Sequence, residues 1–172
     1  MRKNLIKFGF FIILTLVGCT KKEELPSTKE EGLRPYKIKD RYGFIGYVNG
    51  KKVKIEPDFH YASDFSEGFA VVGYEGKYGY INDRGILVIP MEFDFAYNFS
   101  EGLARVKKNN KFGYINTQGK LVIDFIYDDA MDFKNGIALV KIRTNRFFIT
   151  PDGKIKKNKN RNTVFRYRPK NF

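Results

Sequence analysis

The sequence predicts an all-β fold: antiparallel β-hairpin units of 34 residues, three strands to a unit, arrayed as an open solenoid or a partial propeller. Three observations carry this. Asp64-Phe-Ser-Glu-Gly-Phe-Ala-Val-Val72 returns as Asn98-Phe-Ser-Glu-Gly-Leu-Ala-Arg-Val106 and again as Asp132-Phe-Lys-Asn-Gly-Ile-Ala-Leu-Val140, a step of 34 residues each time. Glycine closes a three-residue turn at Gly85, Gly119 and Gly153, as a type I turn followed by a left-handed residue requires. The apolar residues fall in short runs between turn signals, with no sustained helical period.

The first eighteen residues read as an address rather than as part of the fold. Arg2, Lys3 and Lys7 form a positive n-region, and Phe8 to Val17 an apolar run of ten. A membrane-spanning helix needs about 20 apolar residues, whereas ten suits a signal peptide. The run leads into Leu16-Val17-Gly18-Cys19. This resembles the lipobox of bacterial lipoproteins. The resemblance implies diacylglycerol on the Cys19 sulfur and cleavage after Gly18, so that the protein is anchored to the membrane without spanning it. Cys19 is the only cysteine, so no intramolecular disulfide can form. Thr20 follows it. In lipoprotein families of Gram-negative type, aspartate there signals inner-membrane retention, so threonine points to the outer membrane of the bacterial cell envelope. Residues 19–40 carry mixed charge with Pro26, Gly32 and Pro35, and read as a tether.

Residues 41–153 form the repeat body. In its second unit, Lys77 to Asn82 is a strand, Asp83-Arg84-Gly85 a turn, and Ile86 to Ile89 a second strand ended by Pro90. An aromatic connector, Met91 to Ser100, leads through Glu101-Gly102 to a third strand, Leu103 to Lys108. Asn109-Asn110, like Glu75-Gly76, suits a two-residue hairpin with positive φ. Strand three of one unit is therefore expected to pair with strands one and two of the next. The first unit reads as one residue shorter, with Asn49-Gly50 replacing the three-residue turn.

Units of the form Lys-aromatic-Gly-Tyr-Ile-Asn, glycine turn, Val-Ile-Pro, Tyr/Phe-Asp, Phe-Ser-Glu-Gly-Leu-Ala-x-Val resemble the bacterial WG repeat, also called KWG. The resemblance covers roughly residues 44 to 153 and implies a recognition or scaffold role. The motif's tryptophan is absent. Its place is assigned to Ile45, Tyr78, Phe112 and Arg146, and the glycine after it to Gly46, Gly79, Gly113 and, in a fourth unit that departs from the pattern, Phe147. The recurrent residues read as architecture. Phe65, Phe99 and Phe133 are expected to fill one inter-repeat pocket, with Gly68, Gly102 and Gly136 in the turns that follow. Ala70, Ala104 and Ala138 allow close sheet contact, while Gly79 and Gly113 let a ring lie on bare backbone. Twenty-eight Phe and Tyr residues would supply buried area in place of disulfides.

No catalytic constellation stands out, and no cofactor or metal is expected. His60, the only histidine, is replaced by Asp94 and Asp128 in the other units. Asp124, Asp128, Asp129 and Asp132 have oxygen-rich spacing that could suit calcium, but the second unit has Pro90, Asp94, Phe95 and Asn98 there. Glu67 and Glu101 recur beside glycine, yet Asn135 follows them. A hydrolase would need two carboxylates roughly 5 to 10 Å apart in a cleft.

The net charge of +13 is unevenly spread. Residues 41–153 hold fifteen bases and fourteen acids, whereas the basic tail, residues 154–172, carries +8 with no acid. The body therefore lacks the electrostatic footprint of a nucleic-acid binder. In the tail, Thr163-Val-Phe-Arg-Tyr-Arg168 alternates. It reads as a strand closing the array, as a basic arm for anionic lipid, acidic glycan or an acidic partner, or as a disordered segment. The leading functional reading is a non-enzymatic envelope lipoprotein that presents a β-repeat surface to a protein partner. The alternative is a glycan- or peptidoglycan-binding module, which needs solvent-facing tyrosines such as Tyr47, Tyr80 and Tyr114. A hydrolase is the third class.

Overall fold

A computed structural model describes residues 31–156. The signal segment, Cys19, most of the tether and the tail from residue 157 lie outside the described residues. Fourteen strands fall into four antiparallel sheets, with no helix among the described residues. The first sheet is β1 (Gly32–Ile38), β2 (Arg41–Val48) and β3 (Lys51–Phe59). The second is β4 (Tyr61–Ala62), β5 (Phe69–Tyr74), β6 (Lys77–Asn82) and β7 (Leu87–Phe93). The third repeats it with β8 (Phe95–Ala96), β9 (Leu103–Lys108), β10 (Lys111–Asn116) and β11 (Leu121–Tyr127). The fourth has β12 (Asp129–Ala130), β13 (Ala138–Ile142) and β14 (Asn145–Ile149).

Each full sheet joins strand three of one unit to strands one and two of the next, with a two-residue strand on its far edge. The turns explain the pairing. Asn49 and Gly50 have φ of 53° and 69°, Glu75 and Gly76 48° and 76°, Asn109 and Asn110 51° and 62°. Positive φ at both central residues defines the type I′ hairpin, whose twist matches that of the strands. Gly85, Gly119 and Gly153 take φ of 76–77° at the ends of their three-residue turns.

Each interface between neighbouring sheets holds one core. Ala70, Val72 and Ile81 pack with Leu33, Phe44 and Phe59. Val71 and Tyr80, the alternate residues of the same two strands, pack on the other face with Phe99, Val106 and Ile115. Tyr114, Phe133, Val140 and Ile149 belong to the third core. Alternation therefore places apolar side chains on both faces of the middle sheets. Phe99 and Phe133 are buried against Tyr80 and Tyr114, with ring centroids 4.9 Å apart in both units. Phe65 meets Phe44 at 5.5 Å and is only half-buried.

The structure corrects four expectations. Residues 32–38, placed in the tether, are strand β1 and pair with β2 along their whole length. The signal was Glu31-Gly32-Leu33, a copy of the Glu-Gly-Phe/Leu motif displaced by 36 residues from Glu67 rather than 34. The displacement comes from the first hairpin, which is longer, not shorter. Ten residues separate the paired Phe44 and Ile55, but eight separate Tyr80 and Ile89. For the same reason the first unit's glycine is Gly43, not Gly46, and its aromatic is Tyr42, not Ile45. A Cβ on Gly43, Gly79 or Gly113 would collide with the carbonyl oxygen of Ile55, Ile89 or Ile123, where the pairing register shifts. Gly46 is crowded too, but by the backbone of Gly32 in β1. Finally, Pro90 does not end its strand, because β7 runs on to Phe93. β7 is a sheet edge, where a missing N–H breaks no ladder.

Phe99→Ala should cost about 3–5 kcal/mol, the range for a buried phenylalanine, and Phe65→Ala clearly less. Urea denaturation of the two variants checks the order.

Candidate interaction surface

Three two-residue turns follow the inter-repeat phenylalanines. Glu67 and Gly68 have φ of 52° and 83°, Glu101 and Gly102 55° and 77°, Asn135 and Gly136 54° and 71°. Two successive left-handed residues aim their N–H groups into one concavity, which attracts an anion. The Glu67 carboxylate fills the second concavity, accepting from Glu101 N at 2.7 Å and Gly102 N at 2.9 Å. Glu101 does the same for Asn135 N at 2.5 Å and Gly136 N at 2.8 Å. Beside this ladder, Ser66 Oγ donates to Phe99 O and Ser100 Oγ to Phe133 O, both at 2.8 Å. The recurring acids thus bind units together. Asn135 breaks the series, and 34 positions beyond it stand Pro169, which has no N–H to offer, and Lys170.

The connectors repeat a second arrangement. Asp94 takes Lys77 Nζ at 2.6 Å and Asn109 N at 2.7 Å. Asp128 takes Lys111 Nζ and Arg143 N, both at 2.5 Å. His60, in the same place, accepts from Glu75 N through Nδ1 at 3.0 Å and stacks on Tyr74. The lysine bond, then the backbone N–H, hold the Asp94 and Asp128 carboxyls below the usual carboxylate range. His60 Nδ1 and the Asp94 and Asp128 carboxylates are thus engaged within the fold. Among the described residues no group of three or more His, Cys, Asp or Glu is placed to hold a metal ion.

Tyr80 and Tyr114 are buried, and their hydroxyls donate to the carbonyls of Tyr97 and Met131 at 2.7 Å. Burial pushes both hydroxyl pKa values up. Tyr47 is half-buried. A solvent-facing row of these three rings does not exist.

Sequence reasoning missed Arg105, which stands where the neighbouring units have Val71 and Leu139. Its guanidinium lies 3.4 Å from the Tyr97 ring centroid and donates to Asp132 Oδ1 at 2.6 Å and to the Ala130 carbonyl at 2.5 Å. It lines an open groove of about 590 Å³ together with Glu101, Asp129, Met131 and Lys134. The signal was there in the aligned units: one charge among apolar residues at a single position.

The outer edge strands β3, β7 and β11 present solvent-facing residues that differ from unit to unit. The outward residues of β3 are Lys52, Lys54, Glu56 and Asp58; those of β7 are Val88, Pro90 and Glu92; those of β11 are Val122, Asp124 and Ile126. Ile86, Ile126 and Met131 are among the large apolar side chains left exposed.

The model of the WG containing repeat matches residues 42–78, 78–112 and 112–143, more than half of the chain. The chain belongs to the WG-repeat family. The matched units open on Tyr42, Tyr78 and Phe112, the frame that the Gly43, Gly79 and Gly113 contacts define. In the three matched units of this WG-repeat protein a phenol or phenyl ring takes the indole's place. No curated protein matches the chain. Among solved structures, a plant lectin with two metal binding sites from Cicer arietinum aligns over 81% of this chain and 90% of its own, at 14% identity and a TM-score of 0.32, too low to signify a shared fold.

Glu101→Gln should cost about 1 kcal/mol, comparable to loss of a helix N-cap. Amide exchange should quicken at Asn135 and Gly136 while Glu101 and Gly102 stay protected. Asp94→Asn tests the connector. A depressed folded-state pKa gives stability that is present above the unfolded value, near 3.8, and lost as pH falls through the folded one. The variant should therefore be less stable than the parent at pH 7, and the gap should close below about pH 4 in denaturation at stepped pH.

Proposed function

We propose that this WG-repeat protein is a bacterial cell-envelope lipoprotein, anchored through acylated Cys19, whose repeat body is a non-enzymatic interaction or scaffold module for a protein partner. One observation carries the interaction reading. The recurring polar side chains of the ladder and connectors (Glu67, Glu101, Asp94, Asp128, Ser66 and Ser100) are spent on bonds between neighbouring turns, strands and units. The exposed residues of β3, β7 and β11 grade from charged to apolar along the array. Stacked units of this kind make extended binding surfaces. The anchor reading rests on Leu16-Val17-Gly18-Cys19 after a ten-residue apolar run, and Thr20 favours the outer membrane.

The glycan-binding alternative needed Tyr47, Tyr80 and Tyr114 as a stacking row, and the burial of two of them removes that support. A hydrolytic reading would use the carboxylates beside the Arg105 groove. Glu101 is held there by two backbone amides and Asp132 by Arg105.

Cross-linking of the lipidated protein in its native envelope should recover a defined protein partner. Recovery of glycan alone would overturn the reading. Cys19→Ala should abolish both acyl labelling and membrane retention, and continued labelling would rule out the anchor.

A further inference from the structure

The turn ladder has a first member. Glu67 and Gly68 repeat the geometry of the two turns that hold carboxylates, with the same sign and size of φ at both residues. At Gly68, as at Gly102 and Gly136, a Cβ would meet nothing within 4 Å, so the glycine face of the turn is open. Yet among the described residues no acceptor meets the N–H groups of Glu67 and Gly68. The side chain one unit earlier that would fill this place is Glu31, and its Oε1 instead accepts from Gly50 N at 2.8 Å. Gly50 lies in the turn of the hairpin that the first unit lengthens by two residues. Gly32 takes φ of 109°, outside the 71–83° of the three ladder glycines, so the Glu31–Gly32 pair does not form the turn that would aim its carboxylate along the ladder.

We propose that the Glu67–Gly68 turn is a carboxylate-binding site, which takes an acidic side chain or a C-terminal carboxylate from a partner protein. The proposal rests on the interaction-module reading and names the chemistry of one contact within it. The molecule itself supplies the ligand class, since both equivalent turns hold a carboxylate through two N–H groups. Bonds to an ionised acceptor are stronger than neutral ones, and two parallel donors also fix the carboxylate plane. A second copy of this chain is a poor occupant. The residue it would offer at the matching end of its ladder is Asn135, with one acceptor oxygen and no charge.

The test uses the full-length chain, labelled with ¹⁵N and titrated with sodium acetate against sodium chloride at matched ionic strength. The amide protons of Glu67 and Gly68 should move downfield and saturate with acetate only. Those of Glu101, Gly102, Asn135 and Gly136, already bonded, should stay in place. In Glu67→Gln, Glu101 and Gly102 should join the responding set. A capped glutamate and a peptide with a free C-terminus, used in place of acetate, distinguish the side-chain from the terminal source by which one saturates the shift. If Glu67 and Gly68 respond only in Glu31→Gln, the chain's own Glu31 is the occupant, and the partner assignment is overturned. If they respond in neither protein, the site itself is overturned. Partner capture from the envelope can succeed in either case, so its outcome tests the broader reading separately.

Discussion

Among the described residues, no sheet buries its apolar surface on its own. Val71 and Val72 are neighbours in one strand, yet they belong to different cores. Each middle sheet is thus held only by the sheets on either side, and stability arises at interfaces between units rather than inside them. The small residues follow from that demand. Ala70, Ala104 and Ala138 are fully buried where sheets approach, and the turn glycines Gly85, Gly119 and Gly153 lie on Ile55, Ile89 and Ile123 of the preceding unit. The isoleucine and the glycine are one contact split between two copies of the repeat.

Directional bonds then set the spacing that apolar packing leaves loose. The carboxylate of one turn reaches the amides of the next, the serine beside it reaches the next connector, and the tyrosine hydroxyl returns to its own unit's connector. These bonds use the same atoms in successive copies. Conversely, some positions that change between copies, like Arg105, build a feature found in one unit only.

Much of this order was legible in the sequence because its signals are local. Asn109-Asn110 and Glu75-Gly76 specify their hairpins by turn chemistry alone, and the 34-residue step fixes which strands pair. The errors arose where a local signal was shifted or had two readings. The two added residues in the first hairpin shift its glycine out of the 34-residue frame and mask Glu31-Gly32-Leu33, so residues that read as tether form β1. Pro90 is a strand breaker only if its N–H is needed, and an edge does not need it. The ladder was harder to read. Its donors are backbone amides, which carry no side-chain signature, so Glu67 and Glu101 looked like candidate acids rather than clasps.

One residue alone separates each sheet from the next in the chain: His60 between β3 and β4, Asp94 between β7 and β8, Asp128 between β11 and β12. Any bending of the array must pass through these three joints. Each joint is pinned by a bond to the following hairpin turn, and two of them are pinned by an ionised group as well. The stiffness of the molecule along its length is therefore partly a matter of charge, whereas the integrity of each sheet is not. Acid would remove the charged half of two of these pins, while the apolar cores, which lie between the sheets, would go on holding each link to the next.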